Sequence, residues 1–235
     1  MGAPQWDFAS GEVLLFDKPK GWTSFDVVNR VRRLIGGVKV GHAGTLDPLA
    51  TGLLILCTGA KTKEIDQIQG QDKVYLAAVR LGATTASYDL EQPLENVQDA
   101  SGVRQEAVLA ALAAFRGPIL QTPPAHSAIR LGGKRAYELA RKGKDVAVAP
   151  RPVTVHGLEL LEYQVLEDTS VHLLLSVHCS KGTYIRSLAH DLGQALGVGG
   201  YLADLCRTQI GPYRLADAWT LEGFAQALSG PDPTA

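Results

Sequence analysis

Few side chains in this sequence have both the type and the setting for chemistry. Asp47 lies in Gly41-His42-Ala43-Gly44-Thr45-Leu46-Asp47-Pro48-Leu49-Ala50-Thr51-Gly52. The glycines permit a backbone path closed to other residues. Pro48 biases the residue before it away from helix geometry. A carboxylate on such a loop can act as a nucleophile or base. Asp followed by Pro is also a helix start, with Asp as cap and Pro at the first helical position. Spacing alone favours the cap and leaves both readings open, and His42 is likewise undecided. Tyr184 and Arg186 lie in Cys179-Ser180-Lys181-Gly182-Thr183-Tyr184-Ile185-Arg186, where an apolar strand meets a helix. An Arg at that junction can hold a carboxylate in a bidentate pair, or can be an ordinary surface residue. Tyr75 alternates with Val74 and Leu76, which reads as a core or cross-strand aromatic.

Other chemistries find no support. His172 and His178 share a strand face but are six residues apart, too far for joint metal ligation. His190-Asp191 reads as a helix-surface pair. Cys57, Cys179 and Cys206 form no CxxC pair, which argues against a zinc site or a disulfide framework and fits a reducing, cytoplasmic setting. The sequence holds no GxxxxGKS loop, no GxGxxG after a strand and no GxSxG elbow. No metal and no organic cofactor is expected.

The elements that must position these residues read as α+β, with a mixed, largely antiparallel sheet flanked by helices and loops. Strands are expected at Val13–Phe16, Leu53–Cys57, Lys73–Leu81, Val153–Gln164 and Val171–Cys179. Helices are expected at Ser24–Ile35, capped by Thr23 or Ser24; at Val103–Phe115, capped by Ser101; and at Lys134–Arg141, Tyr184–Leu196 and Leu221–Leu228. Residues 41–51 and 121–133 read as loops. The tail from Ser229 to Ala235 is expected to be disordered.

The chain has 235 residues, 46% hydrophobic and 20% charged, with a formal net charge of -1. That excludes a disordered, collagen-like or disulfide-dense protein. The longest strongly apolar run, Leu53 to Cys57, is far short of the roughly 20 residues of a membrane helix. The N-terminus carries no signal-peptide pattern. The near-neutral total hides segregation. From Lys18 to Lys39 six basic residues face one acid, and from His126 to Arg151 seven face two. A basic face on a neutral protein attracts phosphate backbones, although solvated helix surfaces give the same pattern.

Taken together, the segments resemble the TruB family of pseudouridine synthases. The resemblance is carried by Leu15-Phe16-Asp17-Lys18-Pro19-Lys20-Gly21-Trp22-Thr23-Ser24, by the Gly41 to Gly52 segment, and by Lys73-Val74-Tyr75 with Leu81-Gly82. It continues through Gln121-Thr122-Pro123-Pro124, Cys179 to Arg186, Asp191-Leu192-Gly193, and Leu205 with Arg207. It covers roughly residues 12 to 228. It departs at His126, where the family usually has a Tyr, and at Ser87 and Gln92, where Thr and Gly are usual.

The resemblance implies a pseudouridine synthase fold over residues 10–228 and isomerisation of uridine to pseudouridine at position 55, in the T loop of tRNA. It implies a base flipped into a pocket, at a cost of a few kcal/mol. Asp47 would be the catalytic carboxylate, Arg186 the charge that keeps it ionised, and Tyr75 the ring stacked on the flipped uracil. Tyr184 and Leu205 would wall the pocket, and His42 would fill the gap the base leaves. An insertion at about 122–152 would grip the RNA through Arg130, Lys134, Arg135, Arg141 and Lys142, with Lys18, Lys20, Arg30 and Arg33 adding phosphate contacts. A monomer is implied, needing no protein partner, no membrane and no cofactor, and without the C-terminal PUA-type domain of many relatives. The same resemblance admits an RNA-binding or tRNA-folding protein with incidental catalysis, or a guide-RNA-dependent synthase.

Overall fold

The computed structural model describes residues 6–125, 130–131, 134–135 and 148–229. They form two compact units, Met1–Tyr75 with Cys206–Ala235, and Leu76–Leu205.

In the first unit, strand β1 (Val13–Lys18) pairs antiparallel with β3 (Thr51–Thr58), from Val13 opposite Cys57 to Lys18 opposite Gly52. On β3 every residue from Gly52 to Thr58 is buried, so the strand reads as a continuous apolar run rather than an alternating one. A short strand, β2 (Val40–His42), also pairs antiparallel with β3, and ends at His42 opposite Leu56. Helix α1 (Ser24–Leu34) begins with a capping box. The Thr23 hydroxyl accepts from the Asp26 amide at 3.1 Å, and the Asp26 carboxylate accepts from the Thr23 amide at 2.8 Å. Val27, Val28 and Val31 turn inward, while Arg30, Arg32 and Arg33 are exposed. The helix packs with Leu14, Phe16, Leu54 and Phe224 into one core cluster, and Phe16 meets Phe224 edge to face at 5.1 Å. Phe224 belongs to the last helix.

In the second unit the sheet order is β4 (Lys73–Leu81), β11 (Val171–Cys179), β10 (Arg151–Val165), β7 (Gly117–Gln121), and β4 begins in the first unit. β10 pairs antiparallel with both β11 and β7. On β4 buried and half-buried residues alternate, and on β11 buried residues alternate with half-buried or exposed ones, as a sheet with one core face requires. Two small hairpins pair β5 (Thr84–Thr85) with β6 (Leu94–Glu95), and β8 (Arg130–Leu131) with β9 (Lys134–Arg135). Helix α2 (Ile65–Gln69) lies in the first unit, and α3 (Gln105–Ala114) and α4 (Ile185–Ala195) in the second. α4 lies with its backbone against the start of β12 (Gly200–Ile210). A Cβ added at Gly193 would sit 2.1 Å from the Gly200 amide nitrogen and 2.4 Å from its Cα. The chain ends with β13 (Tyr213–Arg214) and α5 (Leu221–Ser229).

The α+β class with a mostly antiparallel sheet is as expected, and β12 pairs parallel with β3 at Cys206–Thr51 and Arg207–Gly52. Several details differ from the sequence expectation. Helix α3 starts at Gln105 behind Arg104 and has no side-chain cap; the expected cap, Ser101, instead donates its amide to the Asp99 carboxylate at 2.8 Å. Residues 117–121 form a strand, and the 41–51 loop begins as one. Strand β12 and helix α2 were not expected. Lys134 and Arg135 are in a strand rather than at a helix start, and the rest of that expected helix lies outside the described residues. So do Arg141, Lys142 and the expected tail beyond Ser229, which itself closes α5.

Candidate active site

Asp47 does not cap a helix. Pro48 and Leu49 make a turn, closed by the Ala50 amide donating to the Asp47 carbonyl at 3.1 Å, and the chain then enters β3. The turn is pinned on several sides. The Ser24 hydroxyl accepts from the Leu46 amide at 2.9 Å, and the Gly21 amide donates to the Pro48 carbonyl at 2.8 Å.

Two buried cations complete the framework. The Lys18 ammonium, fully buried, donates to the carbonyls of Pro19 (3.0 Å), Trp22 (2.6 Å) and Pro48 (3.3 Å). The Arg207 guanidinium, 1% exposed, donates to the carbonyls of Leu53 at 2.8 Å and Gly44 at 3.1 Å. A buried charge needs such partners. Gly52 lets the backbones meet: it sits at φ +94°, and a Cβ there would lie 2.4 Å from the Arg207 carbonyl oxygen. Carbonyls hold these cations without neutralising them. Burial pushes Lys18 down to about 8, with Asp47 opposing the shift and Arg207 adding to it. Asp47, itself half-buried, is thus electrostatically coupled to the Lys18 ammonium. His42 ends β2. Burial and then the Arg207 charge hold its pKa below the usual value, and its Nδ1 is buried without a hydrogen-bond partner among the described residues. Tyr75 is buried on β4.

Lys18 thus corrects the sequence expectation. A side chain with no solvent exposure and three carbonyl partners is a structural cation, not a surface phosphate contact. Lys20, Arg30 and Arg33 are exposed.

The second unit holds Arg186, Tyr184 and Leu205. Arg186 stands in the first turn of α4, 5% exposed, so it is not an ordinary surface arginine. Its Nη1 lies 3.4 Å from the Asp89 carboxylate and donates to the Ser87 carbonyl at 3.2 Å. The other Asp89 oxygen accepts from the Ser87 hydroxyl at 2.5 Å and the Glu91 amide at 3.0 Å. Tyr184 precedes α4 and is gripped by the Gln121 amide group, which accepts from the Tyr184 amide at 2.7 Å and donates to its carbonyl at 3.0 Å. The Arg151 guanidinium lies 4.8 Å above the Tyr184 ring. Leu205 is buried on β12.

Sequence reasoning had not singled out Asp89, Gln121 or Arg207 as site residues. Ser87-Tyr88-Asp89 does carry the Ser/Asp signature of a self-bonded turn, but the partner that makes Asp89 notable is 97 residues away at Arg186. Among the described residues no group of three His, Cys, Asp or Glu side chains could hold a metal, and no helix is long and apolar enough to cross a membrane.

This architecture is that of the pseudouridine synthases. The backbone matches a chain of a Cbf5-Nop10-Gar1 complex with a TM-score of 0.70 and 29% identity, over 93% of this chain and 54% of that one. It matches a chain of an H/ACA RNP bound to a substrate RNA containing 2'-deoxyuridine with a TM-score of 0.68 and 26% identity, over 93% and 53%. The protein spans about half the length of those solved chains. Residues 32–185 match the TruB family pseudouridylate synthase N-terminal domain, and 186–231 the tRNA pseudouridylate synthase B C-terminal domain. The chain belongs to the TruB family of pseudouridylate synthases. It is 50% identical over 226 residues to tRNA pseudouridine synthase B of Bacteroides thetaiotaomicron, covering 94% of each chain. To the enzyme of that name from Chlorobium luteolum it is 52% identical over 218 residues, 91% of this chain and 74% of the other.

Proposed function

We propose that this protein isomerises uridine to pseudouridine at position 55 in the T loop of tRNA. The observation that carries the reading is Asp47: a half-buried carboxyl on a loop riveted by Lys18 and Arg207, with the Lys18 ammonium electrostatically coupled to it. The identity to relatives named tRNA pseudouridine synthase B supports the substrate. In this reading the target base leaves its stack, at a cost of a few kcal/mol. Asp47 supplies the carboxylate of the reaction and Arg186 the guanidinium. Tyr75 stacks on the uracil, Tyr184 and Leu205 contribute apolar walls, and His42 fills the space the base vacates. Isomerisation conserves every atom of the nucleotide, so the residues named need no redox partner. RNA binding falls to the exposed Lys20, Arg30 and Arg33 and to the 122–152 segment with Arg130, Lys134, Arg135, Arg141 and Lys142. The protein acts as a cytoplasmic monomer.

The test is incubation of the purified protein with unmodified tRNA, without additives and after dialysis against EDTA, followed by carbodiimide mapping. A reverse-transcription stop at the T-loop uridine is expected. No stop on bare tRNA, with a stop only when a guide RNA and partner proteins are supplied, would overturn the reading.

A further inference from the structure

The loop that delivers Asp89 to Arg186 contains a residue in an unusual conformation. Tyr88 sits at φ +64°, in the left-handed region that a bulky side chain rarely adopts. Its own turn does not demand a Tyr. The Tyr88 amide donates to the Thr85 carbonyl at 3.2 Å, and the Thr85 hydroxyl donates to the Asp89 carbonyl at 2.7 Å. Gly or Asn would satisfy the same backbone with less strain. The ring supplies the missing reason. It stacks on the His190 imidazole with centroids 3.9 Å apart and planes 13° from parallel.

His190 is one helical turn beyond Arg186 on α4, so the two side chains share a face. Two consecutive loop residues are thus held by two residues one turn apart: Asp89 by Arg186, and Tyr88 by His190. A third tie, the Leu202 amide donating to the Tyr88 carbonyl at 2.9 Å, fixes the backbone between them. His190 is half-buried, its Nδ1 is buried without a hydrogen-bond partner among the described residues, and burial lowers its pKa, which keeps the stacked ring neutral at pH 7.

We infer that Tyr88 and His190 are positioning residues for the isomerisation: their stack holds Tyr88 in its left-handed conformation, and so holds the Asp89 carboxylate against the Arg186 guanidinium. Backbone strain held by a ring stack next to an ion pair is the pattern expected where a fixed geometry matters to function. The inference rests on the isomerase reading for its kinetic consequence, but not for its structural one.

The test uses the full-length protein and two measurements. The first is amide exchange at Glu91 and Leu202, read without substrate. Tyr88→Gly, which permits the φ value without strain but leaves nothing to hold it, and His190→Ala should each speed exchange at both amides by about tenfold or more, leaving β11 protected. The second is turnover on tRNA. Both variants should lose about 10- to 30-fold in kcat with KM within about twofold, the signature of a lost geometry rather than lost substrate binding. Tyr88→Phe, which restores a ring, should return kcat to within about twofold of wild type. The double variant should be no worse than the poorer single one, because both remove the same stack. Unchanged Glu91 and Leu202 exchange in both variants would overturn the inference, as would unchanged kcat. A wild-type protein inactive on tRNA would instead sink the isomerase reading, and the exchange measurement would then decide the stack by itself.

Discussion

The buried cations of the two units are held differently. In the first unit, Lys18 and Arg207 donate to backbone carbonyls on both sides of the Asp47 loop. In the second, Arg186 faces a carboxylate, Asp89, and one carbonyl. A carbonyl satisfies the hydrogen bonds of a cation and leaves its charge in place; a carboxylate also offsets the charge. The first arrangement therefore fixes a loop and projects a positive field on Asp47. The second fixes a guanidinium through an ion pair. The same residue types hold a backbone in one unit and hold each other in the other.

The most severe way to break this contrast is Asp47→Asn. If the field exists to keep a reactive carboxylate ionised, turnover should fall by about 10^3-fold or more, the scale of a removed catalytic group. Affinity for tRNA should stay within about threefold. Single-turnover assays and filter binding separate the two, and residual turnover within tenfold of wild type would refute the assignment.

The contrast sharpens with paired substitutions. Arg186→Met strands a buried carboxylate, and should cost about 3 kcal/mol of stability, part of which Asp89→Asn in the same chain restores. Arg207→Met strands carbonyls instead, and should cost about 2 kcal/mol. Asp89→Asn should restore none of it. Urea unfolding of the set is the measurement; equal rescue of both would erase the distinction.

A smaller effect concerns pH. Lys18 lies at about 8 in the folded chain against an ordinary 10.5. Between those values the unfolded chain binds a proton that the folded chain has released, so wild type should gain stability relative to Lys18→Met as pH rises from 8 to 10.5. Unfolding at three pH values across the window tests the sign. A flat difference would mean that the three carbonyls keep the ammonium charged throughout.

The mildest change is at the surface. Replacing Lys20, Arg30 and Arg33 with Gln should flatten the dependence of log affinity on log salt by about two to three units. Adding Lys18→Gln should flatten it no further, because a fully buried ammonium touches no phosphate. A further change of one unit on removing Lys18 would return it to the RNA face.

Much of the scaffold was legible because it follows local rules. The β4 bounds follow from alternation, and α1 from its Thr23 or Ser24 cap and valine stripe. What stayed hidden was set by distant partners. Strand β12 escaped notice because Arg207, fully buried at its centre, breaks the apolar pattern; its carbonyl partners lie 154 and 163 positions away. Lys18 was misread for the same reason, since a charge in a sequence reads as exposure until its carbonyls are known. Asp47-Pro48 looked like a helix start because the dipeptide suits one, and only the β3 pairing of the following residues excludes it. The residues of GHAGTLDPLATG were thus plain in type, while the two cations that aim the loop were not.

The bare backbone contact between Gly193 and Gly200 has a bearing on how mutational surveys of this protein will read. With no side chain between helix α4 and the strand beside it, no neighbour can shrink to compensate for an added methyl group. Gly193→Ala would force the helix outward and carry Arg186 with it. In a scan scored by growth or turnover, Gly193 would then rank beside the residues that touch substrate, although it has no functional group at all. A second-site suppressor screen would return few partners for it, whereas a cavity or an overpacked side chain usually yields several. Intolerance without suppressors is the genetic signature of a helix seated directly on a strand.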